Sequence, residues 1–408
     1  MTAADQRNAV LAGFLGWTLD AFDFFILTLV VDDLAQAFFP GAPLDSSRPR
    51  IALAITITLA MRPVGAFIFG LMADRYGRRL PLMLNVIFYA AISVACGFAH
   101  SYGAFFLLRA LFGIGMGGEW GIGASLAMES APVHVRGLLS GILQEGYAIG
   151  NLLAALAFRF VYPWANAHYP GNGWRAMFFL GGVPALLSLF IRARVKEPDA
   201  WHEHRTDWRQ YRRAIWANGR LFLYLVVLMT MMNLMSHGTQ DMYPTLLKTF
   251  GYGKARVADI TMLSMIGAVL GGLVFGLYSD RSGRRRAMIV ASACGLVMLP
   301  MWIAGYSPLT TIVGVFLMQF FVQGAWGVIP AHINELSPGA LRGFFPGFAY
   351  QLGVLGASTI PYLEAWLGGM FTYKESMGGL VALVFIGALI AISLGPEAHR
   401  VSFRKTTA

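Results

Sequence analysis

The chain of 408 residues is 57% hydrophobic and 13% charged, whereas ordinary soluble proteins have roughly 45–50% apolar and about 25% charged residues. That balance argues against a soluble globular enzyme. The 31 Lys and Arg against 21 Asp and Glu give a formal charge of +10, but the basic residues punctuate long apolar runs, so the excess calls for no nucleic-acid partner. A dozen such runs share the chain, each with room for a span of about 20 residues and a short connection, as in a polytopic helical membrane protein embedded in a lipid bilayer.

In chain order, apolar runs bounded by charge, Gly and Pro predict spans over 11–38, 49–72, 81–99, 103–129, 138–162, 174–192, 221–248, 258–278, 287–305, 309–335, 344–367 and 378–395. The first is too long for the apolar part of a signal peptide and carries Asp20 and Asp23, so it is expected to remain as a span. With the N-terminus inside, the inner connections hold 21 of the 31 basic residues, Arg205, Arg404 and Lys405 among them. The positive-inside rule then predicts that both termini are cytoplasmic. The longest polar stretch divides six spans from six, giving an expected N-terminal bundle over 1–192, a cytoplasmic linker over 193–220 and a C-terminal bundle over 221–408. Cys96 and Cys294 are far apart inside apolar runs, and His202 and His204 have no third ligand close by. No metal site is expected. Nor is there a phosphate loop, a zinc motif or a supported Ser/His/Asp set, so an enzyme is not expected.

The two halves repeat. Phe69-Gly-Leu-Met-Ala-Asp74-Arg75-Tyr-Gly77-Arg78-Arg79 matches Phe275-Gly-Leu-Tyr-Ser-Asp280-Arg281-Ser-Gly283-Arg284-Arg285. Glu129-Ser-Ala-Pro132-Val-His-Val-Arg136-Gly137 matches Glu335-Leu-Ser-Pro338-Gly-Ala-Leu-Arg342-Gly343, and both pairs are offset by 206 residues, 74 to 280 and 129 to 335. Topology alone would explain the arginines but not acids that recur in register. Parallel duplicated halves are a known transporter plan, with the solute site near the midplane.

Ionisable residues inside spans in one half only are more informative, because charge in the membrane core is costly and tends to face a cavity or a partner. That set is Asp20 and Asp23 in span 1, Arg62 in span 2, Arg109 and Glu119 in span 4, Glu145 in span 5, and His237 and Asp241 in span 7. Asn233, His237, Asp241 and Thr245 are four apart, one polar stripe on a continuous helix. The His237–Asp241 pair is a candidate proton site, with Asp20 and Asp23, three apart and on one face, close behind. Arg62 falls near mid-membrane, where its guanidinium can fork a substrate carboxylate or pair with Asp20 or Asp23. Gln319 and Gln323, four apart in span 10, are candidates for hydrogen bonds to substrate oxygens. Arg109, Glu119 and Glu145 are candidates for proton or substrate contact, although the glycines that follow Arg109 also suit close helix packing.

The duplicated loop motifs resemble the major facilitator superfamily. The resemblance implies an all-α integral membrane fold of twelve transmembrane helices in two pseudo-symmetric six-helix bundles, working by alternating access and usually as a monomer. It also implies a cytoplasmic gate built from Asp74, Arg75, Glu129, Arg136, Asp280, Arg281, Glu335 and Arg342. Span 7, Asn233-x-x-Ser236-His237-x-Thr239-Gln240-Asp241-x-x-x-Thr245, is similar to the signature of the fungal lactate permease branch of the sialate:proton symporter family. Gly16-Trp17-x-x-Asp20-x-x-Asp23 and Arg62-Pro63-Val-Gly65 are similar to that wider family. This resemblance implies proton-coupled symport of a small monocarboxylate such as lactate or pyruvate at the plasma (inner) membrane. The proton is then the coupling ion and no other cofactor is implied; His237 and Asp241 would lie on the coupling route, with Asn233, Gln240 and Thr245 at the substrate. A sialic acid or other sugar acid is the alternative substrate.

Overall fold

A computed structural model describes residues 1–204, 207–241, 243–305, 307–359, 363, 366–367 and 370–403. Arg205, Arg404 and Lys405 lie outside the described residues, as do 360–362 and 364–365 of the predicted eleventh span. Among the described residues the regular structure is helical. Eleven helical stretches are long and apolar enough to cross a membrane, and the predicted span that is not among them is the eleventh. The fold is that of a twelve-helix integral membrane protein.

The first unit comprises Met1–Ser130, Glu145–Trp208 and Gly339–Gln351. It opens with α1 (Ala3–Leu29), started by a capping box in which Thr2 accepts from the Asp5 N–H and Asp5 accepts from the Thr2 N–H. Then follow α2 (Val31–Phe38), α3 (Leu44–Tyr76), α4 (Arg79–Gly97) and α5 (Tyr102–Ser130). After α6 (Arg136–Gln144), which belongs to the second unit, the first continues with α7 (Gly146–His168), α8 (Gly173–Leu180), α9 (Ala185–Arg194) and α10 (Asp199–His204). The predicted sixth span is thus two helices. Gly181, Gly182 and Pro184 separate them, and Pro184 has no N–H to continue a helical ladder. Leu82, Val86, Tyr89, Phe112 and Met116 form the core between α4 and α5.

The second unit comprises Ala131–Gln144, Arg209–Pro338 and Leu352–Ala408. After α11 (Trp208–Ala217), its helices are α12 (Gly219–Gln240), α13 (Tyr243–Thr249), α14 (Lys254–Ser282), α15 (Arg284–Ala304) and α16 (Pro308–Leu336). α17 (Phe345–Ala357) divides between the units at Gln351, and α18 (Tyr373–Leu394) ends the series. Each unit therefore takes in one short segment from the other half of the sequence. The predicted seventh span breaks where Asp241 caps α12 and α13 begins. Pro244, which restricts the residue before it and lacks an N–H, accounts for the break.

α3 and α5 meet backbone to backbone in unit 1. A Cβ at Gly113 would overlap the Thr58 carbonyl, and one at Gly117 the Arg62 carbonyl. Side-chain-free contacts of this kind let helices pack closely in a membrane, and here they fix Arg62 and Arg109 in register. Gly117→Ala should lower the thermal unfolding midpoint in detergent, with a cost of about 1–3 kcal/mol from forced overpacking. Gly103→Ala at the outset of α5, where a Cβ meets open space, should leave the midpoint unchanged or raise it.

Candidate functional site

Unit 1 brings together five of the ionisable residues singled out by the sequence. Asp20, Asp23, Arg109 and Glu119 have no exposed surface and Arg62 has 4%. Asp20 lies within electrostatic reach of Arg62, Arg109 and Glu119, and Asp23 within reach of Asp20 and Arg109. Asp23 Oδ1 and the Ser93 hydroxyl both lie against Gly181, leaving no room for a Cβ there. The Arg109 Nε donates to Thr58 Oγ1 at 3.2 Å, and its guanidinium stacks 4.1 Å over Phe112 beside the Cys96 thiol. Among the described residues, both oxygens of Asp20, Asp23 and Glu119 lack a hydrogen-bond partner, as do Arg62 Nε and Nη2. Tyr350 lies under the Arg62 guanidinium, 5.8 Å from ring centre to Cζ, and Trp120 packs at a tilt against Tyr350, 4.3 Å between ring centres. Buried charges with open hydrogen-bonding capacity, walled by aromatic rings, suit a site that binds ions.

The polar residues of unit 2 form a different arrangement. The His237 Nδ1 lies 3.1 Å from Asp241 Oδ2, with 39% and 35% of the two side chains exposed. The predicted stripe stops there, since Thr245 belongs to α13, and Asn233 donates to the Met229 carbonyl of its own helix. Gln240 Nε2 donates to Gln319 Oε1 at 2.8 Å, Gln319 Nε2 to Thr239 Oγ1 at 3.2 Å, and Gln323 Nε2 to Ser236 Oγ at 3.1 Å. Thr239, Gln240 and Gln319, with Tyr243, Pro244, Met265 and Val315, line a small recess that mixes amides and hydroxyls with apolar side chains. Glu145 is buried at the junction of α6 and α7.

The loop motifs form two matched clusters. In unit 1, Arg78 donates twice to Glu129 (2.9 and 3.2 Å) and once to Asp74 (2.8 Å), and Arg342 adds a bond to Glu129 at 3.3 Å. Asp74 also accepts from the Gly343 and Phe344 N–H groups. Unit 2 repeats the pattern with Arg284 on Glu335 and Asp280, Arg136 on Glu335, and the Gly137 and Leu138 N–H groups on Asp280. Arg75 and Arg281 are exposed. The buried guanidinium beside Arg342 or Arg136 in each cluster belongs instead to Arg78 or Arg284, which stand in the duplicated motif but not among the expected gate residues. Gly77 and Gly283, both at φ 98°, end α3 and α14 and turn the next arginine inward.

Two further acids escaped the sequence reading. Glu197 accepts from the Arg78 and Arg79 N–H groups, and Glu397 from those of Arg284 and Arg285, so each caps the helix that starts there. Their spacing from the loops, more than a hundred residues, hid them. Burial lowers the Arg78 guanidinium, but the Glu129 and Asp74 carboxylates outweigh it and leave it above its ordinary value.

The model of the sugar (and other) transporter family matches residues 8–220 and that of the major facilitator superfamily matches residues 239–407. The chain belongs to the major facilitator superfamily. It is therefore a transporter and not an enzyme. It is 27% identical to a carboxylic acid transporter protein homolog of Saccharomyces cerevisiae, over 95% of this chain and 65% of that protein. It is 26% identical to the sialic acid transporter NanX of Escherichia coli, over 96% of this chain and 94% of the relative. The structure of the proton:xylose symporter XylE matches 98% of both chains at a TM-score of 0.76 and 19% identity, a likeness of fold.

Arg78→Ala should destabilise strongly, by roughly 3–5 kcal/mol, because it removes the cation that two buried carboxylates share; Arg75→Ala should be close to neutral in the same thermal unfolding assay. Burial also raises the Glu197 carboxyl, against the pull of the Arg78 and Arg79 N–H groups. A raised acid favours the folded state below its ordinary value and loses that contribution as pH rises through the raised one. Glu197→Gln should therefore flatten the unfolding midpoint against pH from mildly acid to neutral conditions.

Proposed function

We propose that this transporter carries a small monocarboxylate of the lactate or pyruvate type into the cell together with protons, by alternating access. The buried cluster of unit 1 carries this reading. Arg62 has unpartnered N–H groups away from water and next to Asp20, and an anionic substrate would compete with that acid for the guanidinium. The carboxylic acid and sialic acid transporters among the relatives support an anionic substrate. His237 and Asp241 serve as a second proton-exchanging pair, while Asn233, Gln240, Thr245, Gln319 and Gln323 meet the uncharged part of the substrate.

The Asp74 and Asp280 clusters are the cytoplasmic gate, made with Arg78 and Arg284 as their buried cations. The protein acts as a monomer in the plasma (inner) membrane with both termini cytoplasmic, as the basic inner connections imply. A sialic acid or other sugar acid is the second reading. The sialic acid transporter NanX among the relatives supports it.

The test is uptake of labelled lactate, and separately of labelled sialic acid, into proteoliposomes with an imposed inward proton gradient. Lactate should accumulate, a protonophore should abolish the accumulation, and both Arg62→Ala and His237→Ala should lose it while remaining folded. Accumulation of sialic acid without lactate would favour the second reading. Retained uptake by Arg62→Ala would remove Arg62 from the site.

A further inference from the structure

The unit 1 cluster contains three carboxyls, Asp20, Asp23 and Glu119, and two guanidiniums, Arg62 and Arg109, none of them with appreciable exposure. If all five were ionised the cluster would carry a net negative charge in a medium that tolerates little. A neutral cluster holds one proton on its carboxyls, and a bound monoanion requires one more. The acids differ in how well they bear ionisation. Asp20 has both arginines within reach, and Asp23 has Arg109 with the Ser93 hydroxyl at hand. Glu119 has Arg62 as the cation within its electrostatic reach among the described residues, with Asp20 and the Tyr89 phenol as its other titratable neighbours.

Its surroundings also solvate it poorly. The Glu119 carboxyl rests against Gly16 of α1, where a Cβ would overlap it, and close to Gly123 of its own helix. Neither oxygen receives a hydrogen bond among the described residues. A carboxylate in such a niche depends on Arg62 for its stability, whereas a neutral carboxylic acid fits it at lower cost.

We infer that Glu119 is the carboxyl that takes up the coupled proton, because it and the substrate anion share Arg62. When the anion occupies the guanidinium, Glu119 loses its cation, and an O–H bond forms on its carboxylate with a proton from water on the side of entry. When the anion leaves, Arg62 returns to Glu119 and the proton passes to water on the side of release. Proton and anion then bind together without touching each other, and the other proton stays within the Asp20–Asp23 pair. This rests on the proton-symport reading above.

The experiment compares wild type with Glu119→Gln, which mimics the protonated acid, in proteoliposomes with labelled lactate. Wild type should accumulate lactate on a proton gradient, with a KM that rises about tenfold per pH unit above the titration of the site. Glu119→Gln should still exchange lactate in counterflow, with a KM independent of pH, and lose accumulation. Glu119→Asp should restore accumulation with a shifted pH profile. Accumulation and a wild-type pH profile in Glu119→Gln would overturn the assignment while leaving symport intact; no gradient-driven accumulation of lactate in wild type would overturn both. Should Glu119→Gln show no counterflow, infrared difference spectra of wild type decide the matter. Lactate should raise a protonated-carboxyl band that shifts when glutamate is carboxyl-labelled with 13C, and the absence of that band, or its insensitivity to the label, would overturn the assignment.

Discussion

A charge removed from water has to be balanced by partners within a few ångströms, and the placement of ionisable residues in this protein follows from that constraint. The two loop clusters satisfy it fully. Arg78 and Arg284 each hold two carboxylates through charge-assisted bonds, and backbone N–H groups take up remaining acceptor capacity on Asp74 and Asp280. Such clusters are stable ties, since taking away any one partner leaves a buried charge short of compensation. The Asp20–Arg62–Glu119 cluster is also buried, yet it leaves acceptors and donors open. Its charge balances only with a proton on its carboxyls, and a bound anion calls for one more, which is the property the proposed coupling site needs.

The duplication separates scaffold from chemistry. Asp74 and Asp280, Glu129 and Glu335, and Arg136 and Arg342 recur at one offset and make equivalent bonds. The close approach at Gly65 to the Ile114 carbonyl recurs at Gly271 against the Phe320 carbonyl. In each unit the short segment from the other half supplies the arginine and the two N–H donors that complete the cluster. The residues that break the symmetry, Asp20, Arg62, Arg109 and Glu119 in one unit and His237 and Asp241 in the other, are those with ionic chemistry to offer.

Much of the fold was legible because apolar runs of spanning length need no partner to be recognised, and eleven of the twelve runs correspond to spanning stretches among the described residues. Helix breaks were less so: α12 ends before Asp241, so the stripe from Asn233 to Thr245 divides, and only Pro244 hinted at it. Register between the halves located the buried acids of the loops. It identified Arg136 and Arg342 but not the second cation of each cluster, because a turn at Gly77 or Gly283 decides which arginine of the following pair points inward, and side-chain direction after a positive φ is not encoded in spacing. Glu197 and Glu397 were invisible for a similar reason, since they act on helix starts distant in sequence. The intramembrane charges were legible as exceptions to hydropathy, but only the fold gathers five of them into one cluster and sets Glu119 against Gly16.

A cluster of this charge should bind an anion only together with a proton. The most direct test is calorimetry of lactate binding to the purified transporter, at a fixed pH above the titration of the site, in buffers of different ionisation enthalpy. The dependence of the heat on the buffer should give an uptake of about one proton per lactate bound. Lactate binding whose heat is the same in every buffer would contradict the account.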